Sequence, residues 1–516
     1  MVLTANTYYQ GVSAITAMYQ GNVKVWPGGT PPTPVIPCDE IWYISTDGAV
    51  ISPFTTTVFG PRISSNTYTD KGVIKLQNCA TKIGQHAFEN KETLLSITIP
   101  DSVTSIDENA FYYCKSLSSI TIPDRVTSID EKAFHLCNAL SSVTIPDSVI
   151  TIGRQAFGWN GLSSVTIGAG VTTIGDYAFR RNRLLSIHIP SGVTNIGLQI
   201  AGGLDGPLSS ITVDQNNLIY NDGNGSNCII DSTNTLILGC KTTVIPNTVV
   251  SIGDEAFSSI WALSSITIPD SVVNIGKSAF NSCKDLYTVT MGSGVTTIGD
   301  YAFYNCDDLL SLTLPRSVTT IGNSAFRGCS YLSTNIPSSV TSIGSYAFQG
   351  YSRLSSSASS LSITIPTGVT IIEEGTFAGS GIRSVIITNN VTSIGDGAFE
   401  LCQSLSSLTI GSSVTTIGDY AFHYCRSLSS ITIPDSVTSI GKNAFDSCGG
   451  LSSAMTVTIG SGVTSIGNRA FCDCSTLVSI IYNGTMSDWG NVTLGTDWAK
   501  NINTSVVHCS DGDVPI

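Results

Sequence analysis

Charged side chains are scarce in this chain, at 12% of its 516 residues against about 25% in an average globular domain. The net charge of −13 argues against nucleic-acid binding, which depends on clustered Lys and Arg. No run of about 18 apolar residues occurs, so no segment is predicted to insert into a membrane. The scarcity of charge and the abundance of Ser and Thr favour an exposed surface of neutral polar side chains.

A secretory signal is also missing. Residues 1–20 contain no basic region followed by an apolar core, because Tyr8, Tyr9 and Gln10 interrupt the segment. The sequence therefore predicts that the chain leaves its cell without the secretory route.

No set of residues with catalytic spacing is recognisable. The five His occupy mostly unrelated positions, and none joins a nucleophile and a carboxylate in a known pattern. Cys472, Asp473 and Cys474, with His508 later in the chain, come nearest to a metal site, but their spacing is not a usual zinc pattern. We therefore predict a protein that is not an enzyme and needs no metal or other cofactor.

What the chain does contain is a short repeat, of which residues 428–448 are a clear copy. Its marker is a Phe, usually preceded by Ala, and most copies follow one another at 22 or 23 residues. A fixed period in this range, with aliphatic residues at fixed offsets, predicts a leucine-rich-repeat solenoid. The marker residues are Phe88, Phe111, Phe134, Phe157, Phe179, Phe257, Phe280, Phe303, Phe326, Phe348, Phe377, Phe399, Phe422, Phe445 and Phe471.

One repeat predicts one coil of the solenoid. Residues 431–433 alternate as a short strand, 434–436 predict a turn, and 442–447 are interpreted as a short helical or 3₁₀ turn. One coil buries too little to offset the ordering of its backbone, at about 1–2 kcal/mol per residue. The coils must therefore stack, join their strands into parallel sheets and be capped at both ends.

The repeat pattern Ile-Pro-x-x-Val-x-x-Ile-Gly-x-x-Ala-Phe-x-x-Cys-x-x-Leu resembles the BspA-like, or Treponema pallidum-type, leucine-rich-repeat family. The resemblance covers about residues 83–477. It implies a fold and a binding habit, namely surface adhesion through protein or glycan contacts, and no chemistry.

Residues 1–26 predict two or three short β segments joined at Gly turns. Their Tyr-x-Gly-x-x-Lys-Val-Trp string resembles the start of bacteriophage tail and fibre proteins, which implies docking onto a virion through Tyr19, Gly21, Lys24 and Trp26. The alternative is a disordered or strand-adding tail. The Pro-rich residues 27–37 predict an extended, semi-rigid spacer.

The remaining segments complete a layout of seven parts. Residues 205–244 alternate in short runs with Asp-Gly and Asn-Gly turns, which predicts a β-rich insertion. In it, residues 222–226 superficially resemble a calcium loop, but Asn227 and Thr233 replace the required Gly and Glu, so a plain turn is favoured. The parts are 1–26 (β docking segment), 27–37 (linker), 38–82 (N-terminal cap), 83–204 (repeats), 205–244 (insertion), 245–480 (repeats) and 481–516 (C-terminal cap).

Nine of the fifteen Cys lie three residues after a marker Phe. Other coils carry Asn160, Asn182 or Tyr351 there, and a position that accepts Cys or Asn predicts a buried rung that bonds neighbouring coils. Regular disulfides and metal binding are the alternatives, and Cys228 could pair with Cys240 across a hairpin. The nine are Cys114, Cys137, Cys283, Cys306, Cys329, Cys402, Cys425, Cys448 and Cys474.

Two aromatic residues near the end, Trp489 and Trp498, are predicted to cover the last coil, with a ligand-binding pair as the alternative. The other regular feature is the strand residue whose side chain points outward in each coil. These residues should line one face of the solenoid in single file. This file is either a set of exposed positions with high β propensity or a shallow binding face for glycan or protein, with His188, Asn335, Arg383 and Ile386 as breaks. The face comprises Thr98, Thr121, Thr144, Thr166, His188, Thr212, Thr267, Thr290, Thr313, Asn335, Thr364, Arg383, Ile386, Thr409, Thr432 and Thr458.

Two functions fit these features. The first is a bacteriophage virion protein, such as a tail or head fibre or decoration protein, docked to virion proteins through residues 1–26 and binding a host-surface or mucosal protein or glycan. The second is a bacterial cell-surface or secreted adhesin of the BspA type. An oligomer is compatible with both.

Overall fold

The computed structural model describes residues 36–203, 207–330, 332, 335–350, 362–450 and 454–516, and the backbone of 6–10, 13–20 and 23–25. The chain forms two compact units, Met1–Gly161 and Leu162–Ile516. In both units the repeats form a β-solenoid, whose coils each contribute up to two short strands. The first strand precedes the Pro turn, and the second strand ends just before the Gly that leads to the marker Phe.

Both sets of strands pair in parallel with the equivalent strands of adjacent coils. In the first unit, Ser128 and Ile129 align with Ser105 and Ile106. The first strands of this unit are Leu94–Thr98, Ser119–Ile120 and Ser142–Ile145. Its second strands are Lys82–Ile83, Ser105–Ile106, Ser128–Ile129 and Thr151–Ile152.

The second unit repeats this arrangement over more coils. Its first strands are Ser164–Ile167, Ser186–Ile189, Ser210–Val213, Ser265–Ile268, Thr288–Met291, Ser311–Leu312, Ser362–Thr364, Ser384–Ile386, Ser407–Thr409, Ser430–Ile433, Met455–Ile459, Leu477–Tyr482 and Val506–Cys509. Its second strands are Thr173–Ile174, Asn195–Ile196, Ser251–Ile252, Asn274–Ile275, Thr297–Ile298, Thr320–Ile321, Ser342–Ile343, Ile371–Ile372, Ser393–Ile394, Thr416–Ile417, Ser439–Ile440, Ser465–Ile466 and Thr493–Leu494.

The segment around each marker Phe is not helical, so the predicted helical or 3₁₀ turn is wrong. Residues two before and two after the Phe adopt left-handed backbone in nearly every coil, as at Ser278 and Ser282, whose φ angles are +54° and +58°. A residue with positive φ cannot continue a right-handed helix. Within the described residues the one α-helix is Met486–Trp489. No described helix has the length and apolar character needed to cross a membrane.

Hydrogen bonds between coils explain this backbone. The amides of Ser278, Phe280 and Ser282 donate to carbonyls of the next coil over 2.7 to 2.8 Å, whereas those of the intervening Ala279 and Asn281 donate within their own coil. Left-handed residues cost about 1–2 kcal/mol each for L-amino acids. The alternation turns every second N–H toward the neighbouring coil, and those bonds offset the cost.

The marker Phe side chains form the centre of the core. All are buried except Phe348, which is half-buried, and they stack from coil to coil, with ring centroids 4.9 to 5.6 Å apart from Phe257 to Phe471. Their planes are nearly parallel, as in the 5° between Phe280 and Phe303, which is an offset-stacked arrangement. At the end of this stack, the ring of Trp498 meets Phe471 edge-on at 6.3 Å and lies 5.7 Å from that of Trp489. Both Trp are buried and cover the last coil, as predicted.

Three antiparallel strands precede the coils of the first unit: Glu40–Ser45, Ile63–Tyr68 and Gly72–Leu76. Trp42 aligns with Thr98, so the strand Glu40–Ser45 pairs with the edge of the strand Leu94–Thr98. A disulfide joins Cys38 to Cys79, and no feature of the sequence predicted this pair. Farther toward the N-terminus, Asn6–Gln10, Ser13–Gln20 and Val23–Val25 form a three-stranded antiparallel sheet.

The expected insertion is partly an ordinary coil. Ser210–Val213 pairs in parallel with Ser186–Ile189, as a first strand does. The antiparallel part consists of Tyr220–Asn221, Cys228–Asp231 and Thr235–Gly239. Between its first two strands, the Asp222 carboxylate accepts a hydrogen bond from the amide of Gly225 at 3.0 Å. At the other end of the chain, Gly512–Pro515 pairs antiparallel with Val506–Cys509.

The Cys position forms the predicted rung. Each of the nine Cys is buried and reduced, and its thiol donates to the carbonyl of the Phe in the preceding coil at 3.0 to 3.3 Å. Asn182 joins coils by a different bond: its Oδ1 accepts from the amide of Leu162 in the preceding coil at 3.0 Å, while its Nδ2 donates to the carbonyl of Phe179 in its own coil at 2.9 Å. Cys228 and Cys240 are both free, so they do not pair.

The left-handed positions predict a reversal of the usual effect of glycine. Replacing Ser282 by Gly should leave the unfolding midpoint unchanged or raise it, because Gly adopts positive φ without strain. Replacing Ser282 by the β-branched Val should destabilise the chain by roughly 1–2 kcal/mol. At Ser265, an exposed position in a first strand, Val should be tolerated and Gly should be the destabilising residue. Urea unfolding of the four variants checks this, and the same order at both sites would contradict it.

The buried thiols predict a sharp difference in reactivity. Burial raises the pKa of Cys283 to about 12 and that of Cys402 to about 11. Alkylation requires the thiolate, which is the minor form below the pKa, so both residues should stay unmodified at pH 8. Cys509, a free and only half-buried Cys, should react first, and faster as the pH rises. Mass spectrometry after brief iodoacetamide treatment measures this, with urea-unfolded chain as control. Equal labelling of Cys283 and Cys509 in the folded chain would contradict it.

Candidate binding face

Of the sixteen residues predicted to form a binding face, fifteen are placed on or next to the first strands, and Asn335 lies in a coil for which no first strand is described. All are exposed except Thr458, which is half-buried. The alternation of the strand explains this, because the flanking Ile residues point into the core. In Ser430–Ile433, for example, Ile431 and Ile433 are buried and Thr432 is exposed.

Parallel pairing places these residues directly beside one another. Thr267 aligns with Thr290, and Ile386 aligns with Thr364 on one side and Thr409 on the other. Neighbouring strands in a sheet lie about 4.7–4.9 Å apart, so successive side chains are in contact range. The structure therefore brings the predicted residues together in files within each sheet. We call this set of sixteen residues the strand row.

The four breaks differ in what they offer. The ring Nδ1 of His188 lies 2.9 Å from the hydroxyl of Thr212 and shares a hydrogen bond with it. Ile386 leaves 45% of its surface exposed between two Thr, which is a hydrophobic contact point. Arg383, at the start of the same coil, is exposed, as is Asn335. Hydroxyls, an imidazole, a guanidinium and an aliphatic surface can hold a ligand by hydrogen bonds, charge and apolar contact.

The predicted docking residues are only partly described. Gly21 and Trp26 lie outside the described residues. Tyr19 and Lys24 align with each other in the antiparallel pair of Ser13–Gln20 and Val23–Val25. The backbone therefore forms the expected hairpin, and docking through it stays a prediction.

The residues that most resemble a metal site make other contacts instead. Ligand atoms of Asp446, Cys472 and Asp473 lie within 4.8 Å of one another. The guanidinium of Arg469 contacts the carboxylates of Asp446 and Asp473 at 3.2 and 2.8 Å, so it supplies the positive charge there. Cys474 belongs to the Cys rung, and the ring Nδ1 of His508 pairs instead with Asp513 at 2.8 Å.

A groove on the turn side of the second unit was missed by sequence reasoning. It has a volume of about 420 Å³, and its lining includes Tyr346, Glu374, Gly397, Glu400 and Tyr420. The hydroxyl of Tyr346 donates to a carboxylate oxygen of Glu374, and this bond is the first cause that raises the pKa of Tyr346 to about 12. The available signal was the pair Gly375 and Gly397, at a position where most coils carry a side chain.

Comparison with known proteins agrees with this architecture. A model of the BspA type leucine rich repeat region matches residues 81–201, 237–355, 354–478 and 452–495. No curated protein sequence matches the chain.

Similar solved structures include the following three. A leucine rich cell surface protein of Faecalibacterium prausnitzii is 26% identical, with 67% of this chain and 86% of that chain covered and a TM-score of 0.46. A leucine-rich repeat protein of Eubacterium ventriosum is 23% identical over 78% and 96%, with a TM-score of 0.47. The pneumococcal vaccine antigen PcpA is 16% identical over 97% and 98%, with a TM-score of 0.45.

The matched ranges span well over half of the sequence and coincide with the coils described above, and the chain therefore belongs to the BspA type leucine-rich-repeat family.

Proposed function

We propose that this chain is a bacterial cell-surface or secreted binding protein, which holds a protein or a glycan along the strand row. The observation that carries the proposal is the exposure of these residues in files, within each sheet, on strands whose backbones pair with those of adjacent coils. A surface that is ordered before binding loses little conformational entropy when a ligand arrives. The family match supports a repeat scaffold for binding.

The side chains of the row favour a neutral ligand surface. Most are Thr, which offers one hydroxyl that both donates and accepts and one methyl group for apolar contact. Repeated along a sheet, this set suits the hydroxyls of a glycan or the backbone and small side chains of a protein. His188, Arg383 and Ile386 interrupt the pattern and would select among such ligands.

The disulfide between Cys38 and Cys79 supports a location outside the cytoplasm. Disulfides form and persist in oxidising surroundings such as the cell surface and the secreted fraction. The Cys of the rung do not conflict with this location, because they are buried and bonded to carbonyls.

The family match supports the bacterial alternative rather than the virion role. Attachment to a virion through residues 1–26 stays a prediction from the resemblance of that segment. So does an oligomeric assembly.

The row can be tested by placing charges beside its hydrophobic break. The double variant Thr364→Glu and Thr409→Glu flanks Ile386 and should reduce retention on mucin-coated or fibronectin-coated surfaces at least tenfold, because carboxylates must be desolvated on contact. The matched control is Thr319→Glu with Thr392→Glu, which adds the same charge at exposed positions outside the row. Surface plasmon resonance of the full chain measures retention. Equal loss in both pairs, or no loss in either, would refute a role for the row.

A further inference from the structure

The turn-side groove lies between two Tyr side chains that are three coils apart. Tyr346 and Tyr420 occupy the left-handed position two residues before their marker Phe, with φ of +58° each. The two coils between them carry Gly375 and Gly397 at this position. Each of the three steps from coil to coil is 5.2 to 5.6 Å, measured between Phe centroids. The Tyr residues therefore bound a depression that extends over two whole coils.

Small residues make the depression. A Cβ at Gly375 would lie inside van der Waals distance of the Tyr346 ring, so this Gly lets Tyr346 lean over the next coil. At Gly397 a Cβ would meet only Glu400, at ordinary contact distance. The Ala378 side chain adds little bulk between them. The space above Gly397 is consequently open, and close packing does not require a Gly at this position.

Four carboxylates surround this space: those of Glu374, Asp396, Glu400 and Asp419. Glu374, Asp396 and Asp419 are exposed, and Glu400 is half-buried. Among the described residues, no Lys or Arg forms an ion pair with any of the four carboxylates. The ring Nδ1 of His423 lies 3.1 Å from a carboxylate oxygen of Glu400. The groove therefore carries a concentrated negative charge in a chain that has few charges.

The existing contacts leave part of each carboxylate available. One oxygen of Asp396 accepts from the amide of Asp419 at 2.8 Å, and one oxygen of Asp419 accepts from that of Lys442 at 2.6 Å. One oxygen of Glu374 accepts from the hydroxyl of Tyr346. These bonds fix the carboxylates in place and each uses one of two oxygens. Gln349, which also lines the groove, holds a side-chain oxygen for which the described residues supply no donor.

Both Tyr rings already attract cations on their outer sides. The guanidinium carbon of Arg327, in the coil before Tyr346, lies 5.5 Å from the centroid of that ring. The ammonium of Lys442, in the coil after Tyr420, lies 5.7 Å from the centroid of its ring. Cations within about 6 Å of a ring centroid are attracted by its π electrons. The aromatic walls and the carboxylates therefore both favour the same type of ligand, namely a cation.

We propose that this groove binds a Lys- or Arg-rich segment of a partner protein, as a second interaction surface separate from the strand row. Guanidinium and ammonium groups would pair with Glu374, Asp396, Glu400 and Asp419, while their stems lie over Gly397 and Ala378. An extended segment of several residues fits a groove of about 420 Å³ that spans successive coils. Charge complementarity selects this occupant over a neutral glycan.

The test uses the full chain and a fluorescein-labelled hexa-arginine peptide at 150 mM salt, followed by fluorescence anisotropy. Gly397→Tyr fills the floor with the residue that the following coil carries at this position, Tyr420, so it should fold and weaken binding at least tenfold. Asn109→Tyr introduces the same side chain at the equivalent position of the first unit and should leave binding unchanged. Glu374→Gln with Glu400→Gln keeps the shape, removes two charges and should weaken binding about fivefold.

Three results would overturn the proposal. One is peptide binding equal in all variants, which would mean attraction to the overall charge of −13 alone. Another is no binding by the unaltered chain. The third is binding of a neutral N-acetylglucosamine hexamer that Gly397→Tyr abolishes while hexa-arginine binding persists. Thr364→Glu with Thr409→Glu should retain peptide binding, so failure of the groove and failure of the strand row are distinguishable.

Discussion

The amide of each marker Phe donates to a carbonyl of the following coil at 2.7 to 2.8 Å, from Phe257 to Phe471. The acceptor is the residue just before the next marker, which is Ala in most coils, Thr376 in one and Trp498 at the end. This hydrogen bond fixes the distance between coils at the level where the Phe rings stack. The two parallel sets of strands, the Cys rung and the left-handed turns are all compatible with that single distance. A coil that lacked its neighbour would lose these bonds together, which is why the repeats are stable only as a stack.

The same constraint determines what the surface can do. Since the backbone is shared by all coils, function can vary only through the outward side chains at fixed positions. In the strand row, neutral Thr is interrupted by His188, Arg383 and Ile386. On the turn side, a change from Tyr to Gly at one position in two adjacent coils produces a groove. Both surfaces are thus made by local substitutions in a regular scaffold, and neither needs a change of fold.

The sequence predicted the features that repeat and missed those that depend on backbone conformation or on comparison across coils. The period, the alternation in 431–433 and the exchange of Cys for Asn predicted the coils, the strands and the rung. The left-handed turn gave no signal, because ordinary residues such as Ser278, Tyr420 and Leu401 occupy it instead of Gly.

Two further features had no regular pattern to reveal them. Cys38 and Cys79 lie outside the repeat, so their spacing could not indicate a pair. The groove depends on Gly375 and Gly397 lying side by side in adjacent coils, which a single repeat considered by itself does not show.

The dependence of each coil on its neighbours is tested most directly by native-state hydrogen exchange of the chain and of Phe303→Ala. The account predicts faster exchange at the amides of Phe280 and Phe326, on either side of the altered coil, with Phe88 in the first unit unaffected. Exchange that accelerates only within the coil of residue 303, or equally at Phe88, would contradict it.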